Sequence, residues 1–468
     1  MPNRRELTEK HRLIPALKLQ KIAQKRILPL PDGESLETEP GGRHRRRKEI
    51  IMDICGKRMY SLLEQLNFER LSTFEGEKKA ADILAKEIRN IGFEPTIETF
   101  KAPRYTIKTA KLEVTEPFYK EYEVNGYGFA GNDAAGGIEA DFIYLEDFEP
   151  IDLQNVKGKI VFVANGLRPK DFKTLLEAGV LGAITPSGNF RDTSETADLD
   201  RRMLRPIHIE HGKLPTVCMR MKDAMEMIAS KPTKVKLTLE QEEGEADSQN
   251  VMTEIRGTEY PDEVIVYTAH YDSVVFSHGM YDNATGTATI LEILRYYREN
   301  PPKRTLRFIW CGSEERGLLG SKFYVASHEE ELEKIRLCIN VDMTGPIFGR
   351  DYALVTAEES LCSVISFLYK ELGHPMTVLQ EICSSDSIPF ADKGIPSVNF
   401  LRRGANSSYQ IHCRHDVIDI ISADALEKTA KFIVAFSNRV IESKFFPIDK
   451  TMPEIMVDKI NKYLRKKL

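Results

Sequence analysis

No stretch of this chain approaches the roughly 18 consecutive apolar residues that a membrane-spanning helix needs, so the sequence offers no transmembrane segment. Charge of one sign is also scarce. A net charge of −5 over 468 residues leaves no basic excess of the kind that binds nucleic acid. The seven cysteines, at positions 55, 218, 311, 338, 362, 383 and 413, are odd in number and have no paired spacing. That argues against a disulfide framework and for reduced thiols; Cys413, though next to His412, reads as a free core thiol. Residues Met1 to Ile27 are basic, interrupted by Pro15, and lack the apolar centre of a secretory signal, so the expected location is the cytoplasm.

What is present suits an enzyme of more than one domain. The length corresponds to about three units, and 41% apolar residues can build a substantial core. Residues 1–48 read as a basic, partly disordered leader: Lys10 to Ile27 alternates basic and apolar residues, Pro29 to Gly42 is turn-rich, and Arg43 to Lys48 is a basic cluster.

Chemistry concentrates in the second half. The run Val264 to Ala269 is short, apolar and β-branched, as expected of a buried strand, and ends at His270. Leu306 to Cys311 runs into Glu314-Glu315 in the same way, and Leu337 to Val341 into Asp342. A helix after Asp282 carries Ile290, Leu291, Leu294 and Tyr297 on one face. Strand, helix, strand predicts a mostly parallel mixed sheet flanked by helices, with candidate ligands at the carboxyl ends of the strands. His270, Asp282, Glu315, Asp342 and His412, with Glu314 and Asp272, exceed the three or four protein ligands of one catalytic zinc. A metal pair needs a bridging carboxylate. Asp282, at a helix start, is the best bridge, and Asp272 is placed to accept the other N–H of the His270 imidazole. The chemistry indicated is hydrolysis, with one of the two adjacent glutamates free to act as base.

The strings AHYDS (269–273), DNATGTA (282–288), CGSEERGLLGS (311–321), NVDM (340–343), SDSIPFADKGIP (385–396) and HCRHDVID (412–419) resemble, in order and spacing, the motif set of the co-catalytic zinc exopeptidases, the family of leucyl-type aminopeptidases and glutamate carboxypeptidase. The likeness is close over residues 246–443 and looser over a helix-rich stretch at 49–110. It implies that His270 and Asp342 hold one metal, Glu315 and His412 the other, that Asp282 bridges, that Glu314 is the general base and Asp272 a supporting carboxylate. Asp416 and Asp419 select His412 rather than His415, because the family's histidine is followed by Asp at the fourth and seventh positions. A cis peptide at Asp282-Asn283 is also implied. Two Zn2+ per chain are expected, with Mn2+ or Co2+ compatible. Some relatives have a tyrosine directly before the last histidine; here Ile411 stands there and Tyr409 lies further back.

Residues 112–245 form a β-rich interruption that resembles a protease-associated domain, through VKGKIVFVANG (156–166), LLEAGVLGAITPSGN (175–189) and LPTVCMRMKDAMEMI (214–228). The peptidase domain would then comprise 49–111 and 246–468. His208 and His211 in the insert read as surface histidines. Two helices close the chain, one capped by Ser422 and one begun at Pro453, with Arg465, Lys466 and Lys467 as dipole partners of the last. The expected activity is an aminopeptidase acting on peptide substrates, with Glu314, Asp342 or Asp386 receiving the free amine. A carboxypeptidase using Arg402 and Arg403 as a carboxylate clamp is the alternative, followed by a single-metal glutaminyl-cyclase-like protein or a non-catalytic relative.

Overall fold

The computed structural model describes residues 54–133, 136–164, 166–199, 202–404 and 411–465. The expected leader at 1–48 lies outside the described residues, as do Tyr409, Lys466 and Lys467. Two helices open the described chain, α1 (Gly56–Gln65) and α2 (Glu75–Ile91). Each buries residues three or four apart: Met59, Leu62 and Leu63 on the first, Ala80, Leu84, Ile88 and Ile91 on the second. Gly92 ends α2 at φ 103°, a left-handed conformation that glycine adopts without penalty. The helical stretch expected as far as residue 110 therefore stops at Ile91, and β1 (Thr96–Glu116) takes its place.

An excursion follows through β2 (Lys120–Tyr122), β3 (Val124–Gly126), β4 (Ile138–Leu145), β5 (Ile160–Val163) and α3 (Pro169–Glu177). It continues with β6 (Gly182–Ser187), α4 (Pro206–Ile209), β7 (Thr216–Arg220) and α5 (Met221–Ala229). The chain returns along β8 (Lys234–Ile255), which pairs antiparallel with β1 from Thr96 opposite Met252 to Glu116 opposite Lys234. Its polar stretch, Glu240 to Gln249, looks like loop in isolation; in the ribbon its charges meet partners, Lys101 to Asp247 at 2.7 Å and Lys108 to Glu242 at 3.1 Å. Within the excursion β4, β5, β6 and β7 are parallel, β3 is antiparallel to β7, and β4 joins β8. Leu112, Phe162, Phe172, Leu175, Val217 and Leu237 close an apolar cluster of its own. Helices α3 and α5 contribute to that cluster, so the segment is mixed α/β rather than purely strand.

The remainder contains β9 (Tyr260–His270), α6 (Thr285–Glu299), β10 (Arg304–Cys311), α7 (Leu319–Ser327), β11 (Ile335–Val341) and β12 (Gly349–Thr356). It ends with α8 (Glu359–Glu371), β13 (Met376–Gln380), α9 (Ser387–Asp392), β14 (Ser397–Gly404), α10 (Ala423–Ile441) and α11 (Glu454–Tyr463). The strand order is β13-β12-β14-β11-β9-β10-β8. β14, β11, β9 and β10 are parallel, whereas β12 and β8 run against their neighbours β14 and β10. Continuous apolar runs are explained by burial on both faces. Ile265, Tyr267 and Ala269 point into the core with α1, α6 and α10, while Val264 and Val266 pack with Tyr324 and Phe390 on the other side. Helix α6 is buried almost all round from Thr285 to Leu294, beyond the single face that its periodicity suggests. The Ser422 side chain caps α10 by accepting the Ala425 N–H at 3.2 Å.

The turn joining α1 to α2 is fixed to the sheet by Arg70, a fully buried guanidinium. Its Nε donates to Tyr271 O at 2.6 Å, Nη1 to Leu66 O at 2.9 Å, Phe68 O at 3.2 Å and His278 O, and Nη2 to Gly279 O at 2.8 Å. Replacing it takes this donor from Tyr271 O, Phe68 O and His278 O, while Leu66 O keeps the Phe68 N–H and Gly279 O the Ala284 N–H. Arg70→Met is expected to lower stability by about 3 kcal/mol, read from the denaturant midpoint; an unchanged midpoint would show that the turn repairs itself.

Candidate metal centre

The parallel strands deliver their side chains to one edge of the sheet. His270 is the last residue of β9, Asp342 directly follows β11, and Glu314 and Glu315 lie in the turn after β10. Asp282 sits in the turn before α6, with its peptide to Asn283 in the cis form. His412 comes from a loop between β14 and α10.

Asp282 stands at the middle. Its Oδ1 is 3.2 Å from His270 Nε2 and its Oδ2 is 3.1 Å from His412 Nε2. His270 Nε2 is also 3.5 Å from Asp342 Oδ1, and His412 Nε2 is 3.2 Å from Glu315 Oε2. Two groups result, His270-Asp282-Asp342 and Asp282-Glu315-His412, each with its ligand atoms within 4.8 Å of one another. Glu314 approaches His270 Nε2 only at 4.0 Å and belongs to neither group.

Neighbouring residues hold the backbone that carries several of these side chains, and the Asp342 carboxylate directly. Asp416 accepts the Tyr281 N–H at 2.6 Å and the Asp282 N–H at 3.0 Å. Asn283 donates to Val341 O at 2.9 Å and accepts the Gly286 N–H at 2.8 Å and the Met343 N–H at 3.0 Å, which ties the helix start to the end of β11. Ser385 donates to Asp342 Oδ2 at 2.6 Å and accepts Asn340 Nδ2 at 2.7 Å. The glutamate turn is held through its backbone: Ser313 N–H donates to Glu77 Oε1 at 2.9 Å, Glu314 N–H to Asp272 Oδ1 at 2.9 Å, and Glu315 N–H to Asp272 Oδ2 at 3.2 Å.

The expectation for Asp272 changes accordingly. Its carboxylate stands 3.6 Å from His270 Nδ1, and its backbone carbonyl is nearer at 3.3 Å. Both carboxylate oxygens accept N–H groups of the glutamate turn, because a buried anion is satisfied best by converging backbone donors. Asp272 thus orients Glu314 and Glu315 more directly than it orients the imidazole.

Electrostatics bear on what the site can hold. Burial raises the Glu314 carboxyl well above its ordinary range; Glu315, Asp386 and Asp342 add to the rise and His270 opposes it. Glu315 is pushed up to about 7 by burial and the Asp282 charge. Burial lowers the pKa of Arg70, beneath the site, to about 10 against the pull of Asp416, Asp272, Asp282 and Glu315. So many buried acids around two imidazoles and one guanidinium favour added positive charge. Glu315 Oε1 and Asp342 Oδ1 are buried with no hydrogen-bond partner, and the donor set is imidazole and carboxylate, so the residues fit divalent ions of the zinc type.

A cavity of about 400 Å³ opens on the centre. Its wall includes Ile411, Arg403, Arg205 from the excursion, and Tyr463 from α11. The Tyr463 hydroxyl shares a hydrogen bond with Ser384 Oγ at 2.5 Å. Nothing local in the sequence marks Tyr463 or Arg205, since both arrive from elements remote along the chain. Asp386 is fully buried, accepts from Ser321 Oγ at 2.6 Å and does not line the cavity. Arg402 is engaged by Pro346 O at 3.0 Å and Asp351 at 3.1 Å. His415 faces away, its ring donating to Thr196 O at 3.0 Å. His208 and His211 form no such group; His208 Nδ1 accepts the Arg205 N–H at 3.1 Å and His211 lies 3.1 Å from Glu210.

Residues 250–437 match the model of peptidase family M28. That match agrees with the likeness to the co-catalytic zinc exopeptidases that the sequence motifs carry. The chain is similar to aminopeptidase YwaD of Bacillus subtilis (strain 168), at 26% identity over 81% of its own length and 83% of the relative's. It is also similar to carboxypeptidase Q of Mus musculus, at 26% identity over 58% of this chain and 61% of that one. A solved structure of BSAP, a zinc aminopeptidase from Bacillus subtilis, shares the fold with a TM-score of 0.72 and 23% identity, covering 86% of this chain and 99% of that one.

Asp272→Asn keeps the size of the side chain and removes the charge that receives the Glu314 and Glu315 N–H groups. Metal affinity is expected to fall roughly 10- to 100-fold, measured by chelator competition, and wild-type affinity would reduce Asp272 to a loop filler.

Proposed function

We propose that the chain is a zinc-dependent aminopeptidase that releases N-terminal residues from peptides at a centre of two divalent ions. The observation that carries the reading is the division of Asp282, one carboxylate oxygen toward His270 and the other toward His412. In this reading His270 and Asp342 hold one ion, Glu315 and His412 the other, and Asp282 both. A divalent pair of this kind brings the pKa of water to about 7 and stabilises negative charge on a peptide carbonyl oxygen.

The protein's own side chains do the rest. Glu314 stands beside the proposed ligands without belonging to either group, which leaves its carboxylate free to act as base. It takes a proton from the attacking water and passes it to the leaving amine nitrogen. Asp272 keeps that carboxylate aimed by gripping its backbone N–H. The Tyr463 hydroxyl offers a donor on the cavity wall for the negative charge that develops on the carbonyl oxygen. With Asp386 off the cavity and Arg402 committed to Asp351, the free amine is left to Glu314 and Asp342.

A carboxypeptidase activity is the second reading, favoured by Arg403 and Arg205, exposed arginines that line the same cavity. The relatives carry both names. Turnover of leucine p-nitroanilide with no turnover of N-blocked peptides is expected, and the reverse pattern would select the carboxypeptidase.

Glu314→Ala is expected to abolish turnover, by at least about 100-fold, while elemental analysis still finds two zinc ions per chain. Retained activity would remove it as the base. Dialysis against a chelator should abolish activity and added Zn2+ restore it.

A further inference from the structure

Four of the five proposed ligands are borne by the sheet or by turns clamped to it. His412 is the exception. The segment 411–416 contains neither helix nor strand, and His412 adopts φ 59°, a left-handed conformation uncommon for a residue with a side chain. Its imidazole is 51% exposed, whereas that of His270 is 1% exposed. Such a ligand depends on what holds its loop.

Among the described residues, anchors reach it from the sheet and from the excursion. Toward the sheet, Asp416 takes the Tyr281 and Asp282 N–H groups. Toward the excursion, Arg414 Nε donates to Asp198 Oδ2 at 2.8 Å, Nη2 donates to Asp198 Oδ1, and Nη1 reaches Glu195 O at 3.0 Å. The His415 ring donates to Thr196 O at 3.0 Å. The second and third residues after the candidate ligand are thus bound to one short segment of the insert. That segment is internally tied: Thr193 N–H donates to Thr196 Oγ1 at 2.8 Å, Ala197 N–H to Thr193 O at 3.0 Å, and Leu199 is buried. The guanidinium meets the carboxylate in fork geometry with 36% and 21% of the side chains exposed, an arrangement stiffer than an ordinary surface pair.

We infer that Asp198 is a positioning residue for the metal centre: through Arg414, the insert's 193–199 segment holds the 411–416 loop in the conformation that brings His412 to Asp282 and Glu315. The insert on this account completes one half of the centre, and the His270 half stands without it. The inference rests on the two-ion reading above. It makes an asymmetric prediction that a merely structural tether between two parts of the chain would not, since it concerns one ion of the pair.

The test is zinc binding to the full chain, by elemental count and chelator competition, for wild type, Asp198→Asn, Arg414→Gln and the control Glu226→Gln, which breaks an exposed Lys120 pair elsewhere on the insert. Both latch variants are expected to keep one ion at wild-type affinity and to bind the second roughly tenfold or more weakly, with unfolding midpoints near wild type. The control should bind both ions normally. The exchanged pair Asp198→Arg with Arg414→Asp should recover the second ion. If Asp198→Asn does not fold, Arg414→Gln asks the same question from the loop side. Wild-type binding of both ions by both latch variants, or equal weakening of both ions, would overturn the inference. A wild-type chain that binds fewer than two ions would instead overturn the two-ion reading on which it stands.

Discussion

The structure is organised around the cost of gathering buried carboxylates. Asp272, Asp282, Asp342, Asp386 and Asp416 are buried and Glu314 and Glu315 nearly so, and Arg70 is a fully buried guanidinium beside them, whereas Arg205 and Arg403 on the cavity wall are exposed. Asp416 and Asp272 are satisfied by backbone N–H groups, and Asp386 receives Ser321 on one oxygen while its Oδ2 has no partner. The acids that are aimed at the centre also keep unpaired oxygens, Glu315 Oε1 and Asp342 Oδ1.

That arrangement needs a stiff frame. The parallel strands β9, β10 and β11 end together, so His270, the glutamate turn and Asp342 reach one edge without any long loop between them. The long β1–β8 ribbon runs from the same sheet into the insert, whose Arg205 and 193–199 segment return to the cavity and to the His412 loop. The insert is therefore part of the site's surroundings as well as a neighbour of it.

Much of this was legible in the chain. Apolar runs ending in His270, Cys311 and Val341 marked three buried strands, because strands covered on both faces have no polar side to display. Ser422 marked the cap of α10. The polar stretch 240–249 hid half of β8, since its charges are compensated only across the ribbon. The helices stop well short of residue 110 for a related reason: β1 is a strand by virtue of its partner.

By itself the sequence determined which residues could take part, their order, and the strand ends that carry most of them, because local patterning and side-chain chemistry are properties of the chain. Only the tertiary structure decided the turning of Asp272 to the glutamate backbone, the engagement of Arg402 elsewhere, and the arrival of Tyr463, Arg205 and Asp198 beside the cleft or its loop. Those depend on contacts between segments far apart along the chain, and no local pattern encodes the distance at which such segments meet.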